Sequence, residues 1–388
     1  MGPIYLDHNA SAPLAPEVLE AMRPHWLASG NPESRHSFGR QPRRAYEQAR
    51  ETIAGILNAD PSEVIFTSGG TESNNLALFG LADRAQHGEA RHLVTSPIEH
   101  PAVSEPIQQL EARGIAVDRV EVGADGRVEV GAMADRLRPT TTLATLILAQ
   151  NETGVIQDVA RLADRAAASG VPVHTDAVQA VGRIPVDFRG LGVATLAASA
   201  HKFHGPVGVG VLLVRSGVSL LPRVFGGGQQ AGRRAGTPAV ALAVGMAEAL
   251  RLWQGDAERR LARWIVLRDR LESLLVAGLG RDQVVRTGPE GARDRLPQTL
   301  HVGFPGLDGD ALLMQLDLAG VAASLGSACA SGSSQASPAL QAMRVPDDRL
   351  RSSVRFSLGA TTTDDEIDEA ARRVIDAIRR IRPPTPSE

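Results

Sequence analysis

The sequence predicts an α/β protein with a large domain, built on a mostly parallel sheet flanked by helices, and a smaller α/β C-terminal domain. Short apolar, β-branched segments alternate with helical segments through most of the chain, which is the pattern of βα units. The 388 residues, 43% of them hydrophobic, are enough for two cores. We expect an N-terminal segment at 1–14 that packs with the small domain, a large domain at 15–253 and a small domain at 254–388.

The individual elements follow from the spacing of apolar residues and from the Gly and Pro residues between them. Residues 4–13 are predicted to be an irregular polar segment. Helices are predicted at residues 15–28, 43–57, 74–84, 161–169, 240–253, 258–279, 309–317 and 364–381, and another begins near residue 99. Strands are predicted at residues 64–67, 91–96, 117–122, 142–149, 171–176, 193–198, 208–214, 299–304 and 321–323.

Composition excludes several classes of function. The formal net charge of -3 gives no field that favours nucleic acid, and aromatic residues make up only 3% of the chain. Cys329 is the single cysteine, which excludes an intramolecular disulfide and a multi-cysteine metal site. No apolar run approaches the ~20 residues that span a bilayer, and Asp7 and His8 interrupt any signal-peptide core. We expect a cytoplasmic protein that binds no metal, membrane or nucleic acid.

Polar residues lie at the ends of several predicted strands. Residues 67–71, Asn151, Asp176 and Lys202 each follow a strand, and His100 opens the helix after another. In parallel sheets the ligand binds at the carboxyl ends of the strands. These residues are therefore expected to form a single site.

Lys202 lies between two apolar segments, 193–198 and 208–214, and is expected in a tight loop at the sheet edge. A single lysine after a strand is most often a solvated surface residue. A lysine amine held partly out of water instead has a lowered pKa and can form a Schiff base with pyridoxal phosphate. Residues 69–71 can bind the phosphate, because a strand passing through glycines into a helix leaves backbone N–H groups available.

The neighbouring residues complete a pyridoxal phosphate site and favour this interpretation of Lys202. Asp176 would pair with the pyridine nitrogen and keep it protonated, so that the ring can accept electrons. His100 would stack on the ring, and Gln179 could reach the ring hydroxyl. The phosphate would be held by Gly70, Thr71, Ser199 and His201.

Ten stretches between Leu6 and Gly359 point to one family. They are LDHNASAP, NPESRHSFG, FTSGGTESNN, IEHPAV, QNETGVIQDV, HTDAVQAVG, SAHKFHGPVGVG, FGGGQQAGRRAGTP, SLGSACAS and SVRFSLG. With them the chain resembles the cysteine desulfurases of the nitrogen-fixation and iron–sulfur-cluster-assembly type, in the group with a long cysteine loop. These belong to the class V aminotransferases, which are fold-type I pyridoxal phosphate enzymes. The resemblance therefore implies that fold, that cofactor and L-cysteine as substrate.

The resemblance also implies roles for further residues. Asn151 and Arg355 bind the substrate carboxylate in this family, and Asn9, at the edge of the active site, is also expected to be a substrate-binding residue. Thr237 corresponds to a residue that reaches the cofactor phosphate of the neighbouring subunit, which implies a homodimer. Cys329 corresponds to the cysteine that accepts the sulfur as a persulfide and passes it to an acceptor protein, for cluster assembly or for tRNA or cofactor thiolation.

The resemblance assigns proton transfer to Lys202, as the base at the substrate Cα, and to His100, as a shuttle for the thiol. Residues 324–338, which include Cys329, are almost all small or polar and bury little apolar surface. We expect this segment to be mobile, so that the thiol can enter the site and then leave it.

Two other functions remain compatible with the sequence. The first is another fold-type I pyridoxal phosphate enzyme, such as a selenocysteine lyase or a transaminase, in which Cys329 is incidental. The second is a non-catalytic homologue that binds a partner. The presence of Asp176, Lys202, Arg355 and Cys329 together argues against the second, since drift would be expected to remove at least one of them.

Overall fold

The computed structural model describes residues 2–83, 91–291, 294–325 and 337–382. In these residues the strands are β1 (Ile4–Tyr5), β2 (Val64–Thr67), β3 (His92–Thr95), β4 (Ala116–Arg119), β5 (Thr141–Thr145), β6 (Val173–Asp176), β7 (Thr195–Ser199), β8 (Gly210–Val214), β9 (Val285–Arg286), β10 (Thr299–Gly303), β11 (Val321–Ala322), β12 (Ser324–Leu325) and β13 (Ser353–Ser357).

The helices of the same residues are α1 (Pro16–Leu27), α2 (Ser37–Ile56), α3 (Gly70–Ala82), α4 (Pro101–Ala112), α5 (Val130–Ala134), α6 (Val159–Ala167), α7 (Phe188–Leu191), α8 (Val240–Gln254), α9 (Ala257–Leu279), α10 (Gly309–Leu318), α11 (Pro338–Ala342), α12 (Asp347–Leu350) and α13 (Asp364–Ile381). Among them, no helix is both long enough and apolar enough to cross a membrane.

A seven-stranded sheet in the order β2-β8-β7-β6-β5-β3-β4 forms the centre of the fold. Strand β8 pairs antiparallel with both β2 and β7, whereas the remaining pairings are parallel. Strands β7 and β8 are buried along their whole length, which explains their mostly apolar sequences. The predicted α/β fold with a mostly parallel sheet is confirmed.

A second core is built on an antiparallel sheet in the order β12-β13-β10-β9 and on the parallel pair β1-β11. Helices α9, α10 and α13 contribute the buried residues Leu271, Leu312 and Val374 to it. Helix α13 begins with a capping box in which the Thr363 and Glu366 side chains bond each other's backbone N–H groups.

The N-terminal segment differs from the irregular polar segment predicted at 4–13. Ile4 and Tyr5 form a strand paired with Val321 and Ala322. Ile4 and Leu6 are buried in the second core while Tyr5 is exposed, which is the alternation of a half-buried strand. Two apolar residues gave too short a pattern to recognise from sequence.

Two helix starts also differ from the prediction. Helix α2 begins at Ser37, six residues before the predicted start, and contains Pro42 in its second turn. A proline there removes one backbone hydrogen bond without ending the helix. Helix α3 begins at Gly70, so the glycine-rich residues form its first turn and do not precede it as a loop.

Candidate active site

A cavity of about 850 Å³ lies at the carboxyl ends of β3, β5, β6 and β7. It brings together most of the residues singled out from the sequence, namely Asn9, Gly70, Thr71, His100, Asn151, Asp176, Gln179, Ser199, His201, Lys202 and Arg355. Thr237 is exposed and does not line this cavity. Cys329 and the segment expected to be mobile around it lie outside the described residues, apart from Ser324, Leu325, Ser337 and Pro338 at its ends.

Lys202 follows directly on β7, in a short 3-10 turn over Ala200–Lys202. Its Nζ donates to the carbonyl oxygens of Asn9 and Ala10, each at 2.9 Å. The amine therefore lies against the N-terminal segment, at the wall of the cavity. Both of these acceptors are neutral backbone carbonyls, which orient the amine without carrying a charge of their own.

Arg183 holds the backbone of this turn and was not found from the sequence. The guanidinium is fully buried, and its five N–H groups all have acceptors. Nε and Nη2 donate to the Lys202 carbonyl at 3.1 and 2.8 Å, and Nη2 also donates to the His8 carbonyl. Nη1 donates to the side-chain oxygens of Asn9 and Gln179. Burial, and then the charge of Arg355, lower the pKa of Arg183 to about 9.

The side chain of Asn9 is committed to contacts within the protein. Besides the bond from Arg183, its amide donates to the Thr299 hydroxyl at 3.0 Å and to the Asn151 carbonyl at 3.2 Å. Its backbone carbonyl accepts from Gln179 Nε2 at 2.9 Å. This geometry favours a role for Asn9 in positioning its neighbours, at the edge of the cavity where the sequence placed it.

Asp176 ends β6 and accepts two hydrogen bonds. Its Oδ1 accepts from the backbone N–H of Val178 at 2.9 Å, and its Oδ2 accepts from Asn74 Nδ2 at 2.7 Å. The carboxylate is 3% exposed. These two donors orient an anion at the cavity, as a partner for a protonated ring nitrogen must be.

The first turn of α3 forms the opposite end of the site together with Ser199 and His201. Gly70 packs tightly, because a Cβ at this position would lie 2.7 Å from Cγ2 of Val178. Burial, and then the charge of Lys202, lower the pKa of His201 to about 4, so its ring is neutral near pH 7. The positive end of the helix dipole and backbone N–H groups thus face an anion site.

His100 is the N-cap residue of α4, and Pro101 follows at the first helical position. The ring Nδ1 accepts a hydrogen bond from the backbone N–H of Ala102 at 3.0 Å. A neutral ring in this arrangement carries its proton on Nε2. His100 can therefore hold a transferable proton on the nitrogen that does not cap the helix.

Arg355 lies on β13 and reaches the cavity from the second core. Its Nη1 donates to the Asn151 carbonyl at 3.0 Å, and its Nη2 donates to Asp7 Oδ1 at 2.7 Å. Asp7 in turn accepts from the Ser324 hydroxyl at 2.9 Å. Among the described residues, the buried Nε of Arg355 has no hydrogen-bond partner, so its N–H can donate to a ligand carboxylate.

Two buried acids in the cavity wall were also missed. Burial, and then the charge of Asp176, raise the pKa of Glu99 to about 8. Burial raises the pKa of Glu152 to about 7, although the Ser337 hydroxyl and the charge of Arg355 oppose this. Both follow predicted strands, which was the available signal. Near neutral pH these carboxyl groups hold protons that ordinary glutamates would have lost.

The described residues on either side of the segment that carries Cys329 lie beside this cavity or in its wall. Before the segment, Ser324 on β12 is the register partner of Arg355 on β13. After it, Pro338 and Ala339 line the cavity wall.

The residues present fit pyridoxal phosphate. An anion site at the start of α3, an ionised aspartate and a lysine amine line one cavity, and the unpartnered Arg355 Nε is left for a substrate carboxylate. Among the residues the structure describes, no group of three or more His, Cys, Asp or Glu side chains could hold a metal ion. Fold and site thus define a fold-type I pyridoxal phosphate enzyme.

Comparison with known proteins is consistent with this class. The model of the aminotransferase class-V family matches residues 4–370, and the chain belongs to this family. It is 40% identical to cysteine desulfurase IscS of Dictyoglomus turgidum over 98% of this chain and 96% of that protein. It is 42% identical to the IscS-like cysteine desulfurase of Mycobacterium tuberculosis over 97% of each chain.

Solved structures of similar proteins have the same fold. A NifS-like protein superimposes with a TM-score of 0.90 at 33% identity, over 97% of this chain and all of that one. A structure of SspA in complex with cysteine has a TM-score of 0.79 at 31% identity, over 93% of this chain and 100% of that one. The family expected from the sequence motifs is confirmed.

Proposed function

We propose that this protein is a pyridoxal phosphate-dependent cysteine desulfurase, which converts L-cysteine to L-alanine and leaves a persulfide on Cys329. The observation that carries the proposal is where the described residues on either side of the Cys329 segment lie. Ser324 is the register partner of Arg355, which lines the cavity with Lys202 and Asp176, and Pro338 lines the cavity wall itself. A transaminase or a non-catalytic homologue has no need of a nucleophile at that place.

Particular residues hold the cofactor in this proposal. Gly70, Thr71, Ser199 and His201 would bind the phosphate, and Asp176 would pair with the ring nitrogen. His100 would stack on the ring, Gln179 would reach the ring hydroxyl, and Lys202 would supply the amine that holds the cofactor. When bound, pyridoxal phosphate supplies an electron sink for charge that develops at the substrate Cα.

Arg355 and Asn151 orient the substrate by its carboxylate, for which Arg355 keeps a buried donor. Lys202 would remove the Cα proton and later return a proton to the three-carbon product. His100 gives its Nε2 proton to the three-carbon product as the Cβ–S bond breaks, and regains a proton from the Cys329 thiol. The Cys329 thiolate then attacks the substrate sulfur, the Cβ–S bond breaks and an S–S bond forms. Cysteine and the Cys329 thiol thus give alanine and a persulfide.

The assembly is proposed to be a homodimer. Thr237 is exposed and lies outside the cavity of its own chain, and the Gly226–Gly228 run and Phe225 earlier in the same loop region are exposed too. This supports a role toward the phosphate of the neighbouring subunit. A separate acceptor protein would take the persulfide sulfur, and a cytoplasmic location stays a prediction.

We propose the domain division expected from the sequence, at 15–253 and 254–388, with 1–14 packed on the second domain. The pairing of β1 with β11 and the burial of Leu6 in the second core support it.

The experiment that tests this function compares the holoenzyme with Cys329→Ser. Both are mixed with L-cysteine, and alanine, sulfide and protein-bound sulfur are measured together. The wild type should form alanine and a persulfide, whereas the variant should bind pyridoxal phosphate normally and form neither. Alanine at the wild-type rate from the variant would favour a lyase, and no alanine from either protein would favour a binding homologue. A faster reaction with selenocysteine would favour a selenocysteine lyase.

A further inference from the structure

Four buried side chains from three elements form one hydrogen-bonded chain that begins at the cavity wall, where Asn74 and Asp176 lie. Asn74 Nδ2 donates to Asp176 Oδ2 at 2.7 Å, and Asn74 Oδ1 lies 3.0 Å from His174 Nε2. His174 Nδ1 lies 2.9 Å from the Thr195 hydroxyl. The exposed fractions are 3% for Asp176, 1% for Asn74 and 0% for His174 and Thr195. His174 and Thr195 are therefore closed to water.

The fold fixes this arrangement. His174 and Thr195 are register partners on the adjacent parallel strands β6 and β7. Asn74 comes from the second turn of α3, which packs against these strands. Asp176 lies two residues beyond His174, so both side chains point to the same face of the sheet.

The Asp176 carboxylate sets the direction of every hydrogen bond among these four side chains. Asp176 can only accept, so Asn74 turns its amide nitrogen toward Asp176 and its oxygen toward His174. His174 must then carry its proton on Nε2, and its Nδ1 must accept from the Thr195 hydroxyl. Burial lowers the pKa of His174 to about 3, which keeps this ring neutral. Among these four side chains, Asp176 is therefore the one that carries a negative charge.

We propose that Asn74, His174 and Thr195 are positioning residues that keep the Asp176 carboxylate aimed at the protonated ring nitrogen of pyridoxal phosphate. The proposal rests on the proposed function, because it assumes that Asp176 pairs with this nitrogen. Without the Asn74 donor, the carboxylate loses one of its two donors and rotates. This rotation weakens the bond to the ring nitrogen and leaves the phosphate and Lys202 contacts intact.

The test measures the dissociation constants of the apoprotein for pyridoxal phosphate and for an analogue with carbon in place of the ring nitrogen. Asn74→Leu and His174→Leu should weaken binding of pyridoxal phosphate about tenfold and that of the analogue less than twofold, as expected for one charge-assisted hydrogen bond. His174→Gln, which keeps an N–H donor for Asn74, should stay within about threefold of the wild type. Nitrogen-15 shifts of labelled cofactor should show a protonated ring in the wild type and a partly deprotonated ring in the two leucine variants.

The chain offers a matched control in His92. This histidine is also 1% exposed on the same sheet, and its Nδ1 lies 2.9 Å from a threonine hydroxyl, that of Thr141. Its Nε2, however, lies 3.2 Å from Asp118 and has no link to Asp176. His92→Leu should therefore bind both compounds as the wild type does. The melting temperature of His92→Leu shows how much stability the protein loses when a buried histidine is removed.

The outcomes separate the two proposals. If the wild type binds the cofactor and the analogue equally, the pairing of Asp176 with the ring nitrogen is wrong and the proposed cofactor geometry fails. If the wild type binds pyridoxal phosphate more tightly than the analogue and Asn74→Leu does so by the same factor, the positioning role is wrong. Should the leucine variants not fold, Thr195→Val provides the test. A two- to fivefold weaker binding of pyridoxal phosphate, with unchanged binding of the analogue, supports the proposal. The same ratio of the two dissociation constants as in the wild type refutes it.

Discussion

Gly70 offers a sharp test of how the anion site is built. A Cβ added there would lie 2.7 Å from Cγ2 of Val178 and 3.6 Å from Cβ of Ser199. Carbon atoms prefer separations of about 3.5–4.0 Å, so Gly70→Ala creates an overlap of roughly 1 Å with a side chain in the cavity wall. Overpacking of this size costs about 1–3 kcal/mol.

This cost can be expressed as a change in melting temperature and in cofactor affinity. An unfolding entropy of about 2.1 cal/mol/K per residue gives about 0.8 kcal/mol/K for the whole chain, so the expected fall is about 1–4 °C. The same overlap moves the first turn of α3 away from the phosphate. Affinity for pyridoxal phosphate should therefore fall about tenfold, since about 1.4 kcal/mol corresponds to a factor of ten.

Val178 provides the control for this prediction. In the double variant Gly70→Ala with Val178→Ala, the clashing methyl group is gone, and cofactor affinity should return to that of Val178→Ala alone. Calorimetry and fluorescence titration of the four proteins measure both quantities. The packing argument would be refuted if Gly70→Ala kept the melting temperature and cofactor affinity of the wild type. It would also be refuted if the double variant bound the cofactor as weakly as Gly70→Ala.

Three further predictions follow from the same site. Lys202→Ala should abolish turnover while leaving measurable binding of pyridoxal phosphate through the phosphate and ring contacts; unchanged absorbance and turnover would mean that another lysine reacts. Thr237→Ala should weaken retention of pyridoxal phosphate in a homodimer, and light scattering that shows a fully active monomer would contradict this. The pKa of Glu99 is raised to about 8 in the folded protein, so folding favours the protonated carboxyl group. The contribution of this group to the free energy of unfolding is complete below the unfolded pKa near 4.5. It is lost as pH rises toward 8, by up to ~1.4 kcal/mol per pH unit. Glu99→Gln should therefore melt higher than the wild type at pH 8 but not at pH 4.5, and parallel melting curves across this range would show that Glu99 does not titrate there.

Local pattern carried much of the fold and of the site. The strand at Val64–Thr67 and the helix at Asp364–Ile381 have the bounds predicted from the sequence, because each combines a clear apolar period with strong end signals. The βα alternation also placed Asp176 and Lys202 at strand ends. Since strand ends in a parallel sheet share one edge, this was enough to predict that both line one cavity.

The tertiary structure decided which polar residues support those groups. Arg183 is four residues from Gln179 and ordinary in sequence, yet it bonds Asn9 and the Lys202 carbonyl from regions far apart in the chain. The pairing of His174 with Asn74 joins residues a hundred positions apart. The raised pKa of Glu99 depends on its burial beside Asp176, which no local pattern encodes. Sequence periodicity reports which face of an element is buried, whereas the partner of a buried polar group is chosen by packing between distant segments.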